Sequence, residues 1–146
     1  MMAGKEYPAR VELLGVSSLA DADAYAEAVS TAAFTVINDL KFVAPGSIIP
    51  DALAGRVKRS PMKHLRCSNP YLWESQLETT DFDGSVVAWI LLVPIGDDEA
   101  RYSNAFGPDA LARLLEDASI DVANLRRASV VPKGRGDASQ PSRRKR

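Results

Sequence analysis

The 146-residue sequence is poor in the side chains that build most catalytic and metal sites, with one cysteine, Cys67, and one histidine, His64. A lone cysteine excludes an intrachain disulfide framework, and one Cys beside one His cannot assemble a structural zinc site of N/S ligands. Long hydrophobic runs are lacking too. The longest, Val86 to Ile95, spans about ten residues and contains Pro94, against the roughly 20 needed to cross a bilayer. The opening MMAGKEYPARVELLG has no basic stretch leading into an apolar core. Nothing there marks secretion, and a cytoplasmic domain without membrane contact is expected. A glycine-rich phosphate loop and a serine nucleophile elbow are both missing, so no cofactor is expected.

What is present is ordinary for a globular domain, 46% apolar and 25% charged residues, in a length that suits one core. The net charge of −1 hides an asymmetry. Residues 126–146 hold eight Lys/Arg against one acid, Asp137, so +7, while residues 1–125 hold ten basic and eighteen acidic residues, so −8. After Val130-Val131 the sequence PKGRGDASQPSRRKR has one alanine as its only hydrophobic residue. Such a segment cannot bury enough surface to offset its ordering entropy. A folded domain over 7–131 and a disordered basic tail over 132–146 are therefore predicted.

Along the domain, ARVELL (9–14) reads as a short strand with Val11 and Leu13 on one face. Tyr25, Val29, Ala32/Ala33, Val36/Ile37 and Leu40 recur at helical steps, with Asp21 or Asp23 as N-cap and Pro45-Gly46 as the stop. Ser47-Ile48-Ile49 allows a short strand, residues 51–63 show no period and read as loop, and His64–Cys67 suits another strand. YLWESQLET (71–79) is apolar and aromatic but too short to classify. Phe82-Asp83-Gly84-Ser85 is a turn before SVVAWILLVPI, whose continuous apolar character predicts a central strand buried on both faces, with Trp89 in the core. Two short helices close the domain, one from Asp97 to Phe106-Gly107 and one from Pro108 to about Asp117. The order predicts an α+β domain, a mixed β-sheet packed by a long N-terminal helix and two short C-terminal helices.

Several steps in this order resemble the suppressor of fused domain family: Val93-Pro94-Ile95, Asp98-Glu99-Ala100, Gly107 through Leu111, Ile120-Asp121-Val122, and Arg127 before Val130-Val131. ARVELL and Pro45-Gly46-Ser47-Ile48-Ile49 are similar to earlier strands of that family. The resemblance covers most of residues 9–131. Family members usually carry sheet-forming sequence ahead of the first of these strands, where this chain has only Met1 to Pro8; missing strands would leave an uncovered sheet edge. The resemblance implies protein binding and not catalysis. Compact bacterial members resemble immunity proteins that neutralise a cognate toxin of a polymorphic toxin system. The alternative is a regulatory adaptor that sequesters a transcription or signalling factor by binding a peptide. The oligomeric state is left open.

Candidate site residues follow from exposure and charge. His64 and Cys67, three apart on a strand, point to opposite faces and do not suggest a nucleophile with its base. Asp81-x-Asp83-Gly84 lacks the further ligands of a calcium loop and reads as a turn. Asp97, Asp98 and Glu99 suit the opening turn of a helix, and as a solvent-facing acidic cluster they are candidates for docking a basic toxin. Tyr71 and Trp73 beside Pro70 are candidate aromatic contacts for a protein partner. Arg143-Arg144-Lys145-Arg146 predicts at most weak, non-specific nucleic-acid contact by the tail.

Overall fold

A computed structural model describes residues 10–38, 44–77, 80–82 and 84–132. Residues 1–9, the predicted basic tail beyond Pro132, Leu40 and Asp83 lie outside the described residues. The elements in chain order are β1 (Arg10–Leu14), α1 (Ala22–Asn38), β2 (Ile48–Ile49), β3 (Met62–Ser68), a 3-10 helix (Tyr71–Leu77), β4 (Thr80–Phe82), β5 (Ser85–Gly96), α2 (Asp97–Phe106) and α3 (Pro108–Ala118). The α+β reading holds. The sheet is mixed and five-stranded in the order β1-β5-β3-β2, with β4 also paired to β5. β1 runs parallel to β5, with Leu13 beside Ile90, and β3 runs antiparallel to it, with Cys67 opposite Leu92.

β5 is the central strand because both of its faces are apolar, and the period of two sorts them into two cores. Ile90 and Leu92 join Leu65, Cys67, Ile49, Met62 and the α1 residues Tyr25, Ala28 and Ala32 in one cluster. Leu91, Val93 and Ile95 join Leu111 and Leu115 of α3 in the other. α1 therefore covers one face, and α2 with α3 covers the opposite face. Three sequence expectations are adjusted. Ile37 is exposed, so the α1 stripe rests on Tyr25, Ala28, Val29, Ala32 and Val36. Residues 51–61 are turns, yet Ala52 and Leu53 are buried in the core. Trp89 is half-buried beside Glu12 and is not one of the buried core residues.

Beyond Leu14, β1 no longer pairs with β5, and side chains replace it. The Tyr25 hydroxyl donates to the Leu92 carbonyl at 2.8 Å, and Arg127 Nη2 donates to the Pro94 carbonyl at 2.9 Å. A Cβ at Gly15 would overlap the Tyr25 ring, so glycine is what lets the ring reach across the end of β1. Burial raises the Tyr25 pKa, keeping the phenol a neutral donor.

Adjacent arginines then tie the chain end to both layers. Arg126 pairs with Asp21 through two bonds at 3.0 and 3.2 Å, just before α1. Arg127 pairs with Glu99 through two bonds at 2.8 and 3.0 Å, in the first turn of α2. These two residues, counted by sequence with the basic tail, belong to the folded body. With them residues 7–131 hold eleven basic and seventeen acidic residues, a net −6.

Candidate functional site

The face of β3 that meets α2 and α3 carries a polar row, His64, Arg66 and Ser68, because residues two apart on a strand share a face. Each end of this row meets a different helix. At one end the Asp51 backbone N–H donates to His64 Nδ1 at 2.9 Å, which leaves the ring proton on Nε2, donated to Asp97 Oδ1 at 2.7 Å. Lys63 Nζ reaches the other Asp97 oxygen at 3.1 Å. The hydrogen bond from His64, with that from Lys63, holds the Asp97 carboxyl below its ordinary value. Both imidazole nitrogens are engaged, and Cys67 is buried on the opposite face of the sheet. The geometry gives His64 the part of a tether between a loop and α2.

The other end of the row opens into a cavity of about 380 Å³ between β3, the start of the 3-10 helix and α3. Its lining includes Arg66, Ser68, Asn69, Tyr71, Glu116 and Ser119. Arg66 is only 7% exposed, and its Nε has no hydrogen-bond partner among the described residues. Nη2 donates to the Pro108 carbonyl at 3.3 Å. Burial pulls the Arg66 pKa below the ordinary guanidinium value, while the nearby Cys67, Asp109, Glu116 and Tyr71 oppose that shift. Burial also raises the Tyr71 phenol, which leaves it a neutral hydroxyl.

The sequence-predicted site residues do not form one patch. Glu99 is fully buried and cannot face a partner. Its oxygens accept from Arg127 and from the Gly96 and Val130 N–H groups at 3.0 and 2.8 Å. The acid read as surface charge is instead the buried partner of Arg127, and the bond to Gly96 caps α2 from within. Asp97 is half-exposed but already paired, and Asp98 is half-buried. Tyr71 is 50% exposed at the cavity, while Trp73 is half-buried and packs against the Leu91, Val93 and Ile95 cluster. Sequence reading passed over Arg66 and Glu116. The available signal was the alternation His64-x-Arg66-x-Ser68, which places a cation on the buried face of a strand. Among the described residues no group of three His, Cys, Asp or Glu is placed to hold a metal ion, and no helix is long and apolar enough to cross a membrane.

Comparison with known proteins agrees with this architecture. The family model described as suppressor of fused protein matches residues 2–128. The chain is 36% identical over 124 residues to the immunity protein YqcF of Bacillus subtilis (strain 168), a match covering 85% of this chain and 64% of the relative. The chain thus spans less than two thirds of that relative's length. Among solved structures, a suppressor of fused homolog from Neisseria gonorrhoeae FA 1090 superposes with a TM-score of 0.66 at 21% identity, over 84% of this chain and 63% of that one. The Drosophila suppressor of fused superposes with a TM-score of 0.58 at 16% identity, over 73% of this chain and 25% of that one. At these identities the structural likeness concerns the fold.

Proposed function

This chain belongs to the suppressor of fused protein family, and from that premise we propose that it is a non-enzymatic immunity protein of the bacterial cytoplasm. It binds and neutralises a cognate toxin of a polymorphic toxin system, one molecule to one. The observation that carries this reading is the 36% identity to an immunity protein over most of the chain. The body's net −6 supports it, because an acidic surface steers a basic effector and raises its association rate. Tyr71, half-exposed beside the cavity, is the proposed aromatic anchor, with Trp73 holding the adjoining 3-10 helix against the core. Asp97 and Asp98, at the head of α2, contribute peripheral charge.

The test is co-expression with toxin effector domains of the polymorphic toxin systems of its host. Protection of growth together with a one-to-one complex is the expected result, and association should slow as salt rises. Full toxicity in the presence of the soluble chain would refute the reading. Protection lost on removal of residues 132–146 would move the function to the basic tail.

A further inference from the structure

Two buried arginines lie on the same side of the sheet, and their bonding differs. Arg127, 9% exposed, makes four hydrogen bonds, two of them to a carboxylate. Arg66, 7% exposed, makes one bond at 3.3 Å and meets no carboxylate within ion-pair distance among the described residues. A guanidinium carries five donors and stays charged, so a buried one calls for acceptor oxygens. Arg66 lines the cavity with Ser68, Asn69, Tyr71 and Ser119, residues whose side chains can all donate a hydrogen bond. A donor-rich wall around a cation suits a group that only accepts. Glu116 also lines the cavity and sets the limit on charge, because it repels a dianion more than a monoanion.

We propose that this cavity receives a single carboxylate, an Asp or Glu side chain presented by the partner protein, which pairs with Arg66 on docking. The inference rests on the protein-binding reading above. Tyr71 and Leu72, 50% and 48% exposed, supply apolar contact surface beside the cavity. The body's net negative charge acts at long range, whereas the Arg66 pair forms only at contact and selects which surface of a basic partner fits.

The test begins without any partner. The full chain, 15N-labelled, is titrated at constant ionic strength with a capped glutamate (N-acetyl-Glu-amide), alongside capped glutamine, free glutamate and methyl phosphate. Saturable shifts of the Arg66 Nε–H and of the Asn69 and Tyr71 amides are expected with capped glutamate and not with capped glutamine or methyl phosphate. Glu116→Gln, at an exposed position, should tighten this binding by roughly three-fold or more through removal of a like charge. Arg66→Lys, which keeps the charge but loses the planar fork of donors, should weaken it, and Arg66→Gln, which removes the charge, should abolish it. Equal shifts with capped glutamine, no saturation, or no response to Glu116→Gln would overturn the proposal. Binding of free glutamate alone would overturn it in favour of a small-molecule site.

The toxin complex separates the two readings. A complex whose Kd is unchanged by Arg66→Gln refutes the carboxylate pocket and leaves immunity standing. A positive titration in a chain that gives no protection removes the immunity reading alone.

Discussion

Glu99→Gln probes how the fold joins its layers. The substitution keeps shape and removes one acceptor oxygen from a site where four donors converge: Arg127 Nη1 and Nη2 and the N–H groups of Gly96 and Val130. Whichever way the amide lies, its NH2 faces one guanidinium nitrogen and one backbone N–H. Arg127, 9% exposed, is then left as a buried charge without its counterion. Breaking a buried pair from one side costs about 3–5 kcal/mol, a large share of the roughly 5–15 kcal/mol that holds a domain. Urea unfolding followed by far-UV circular dichroism reads this directly. With m-values of about 1–3 kcal/mol/M for small proteins, the midpoint should fall by at least about 1 M. Arg127→Met should cost a similar amount, and the double variant should be no worse than either single one, a coupling of about 2 kcal/mol or more. A loss below about 1 kcal/mol for Glu99→Gln, or additive losses, would refute the reasoning.

Tyr25→Phe orphans the Leu92 carbonyl and should cost about 1–3 kcal/mol at neutral pH in the same unfolding assay. Because burial raises the Tyr25 pKa, stability tied to the neutral phenol is present below the unfolded value and lost as pH climbs above about 10. The gap between wild type and Tyr25→Phe should therefore narrow above that pH; a constant gap would contradict the burial. Gly46 has φ +99 and a Cβ there would lie 2.9 Å from Pro108 Cβ, so Gly46→Ala combines a disfavoured backbone with a clash. It should cost about 1–3 kcal/mol, read by calorimetry. Asp97 has a lowered pKa through His64 and Lys63, so its contribution is present above the unfolded value, about 3.9, and lost as pH falls below it. Asp97→Asn should be less stable than wild type at pH 7, with the difference closing below about pH 4 in acid titrations.

The period of two in Val11 and Leu13, the uninterrupted apolar run of β5, and the punctuation at Pro45-Gly46, Gly84 and Gly107-Pro108 made the order of β1, α1, β2, β3, β5, α2 and α3 legible, down to the limits of α2, while the three-residue β4 was not read. Local chemistry sets such features, since backbone geometry and side-chain spacing act within a few residues. The resemblance to a family is borne out by the family model over residues 2–128. The 3-10 helix was not legible, because a seven-residue apolar stretch fits several conformations. Nor was the role of the acids at the head of α2. Asp97, Asp98 and Glu99 are alike by charge and neighbours in sequence, yet one pairs with His64 and another is buried with Arg127. That division depends on a residue 28 positions away and on a strand edge that needs a donor once β1 has ended. Arg66 shows the same limit. Its place on a strand face could be read from alternation, but its burial without a counterion follows from where α3 packs, and only the tertiary structure settles which charges meet a partner inside the fold.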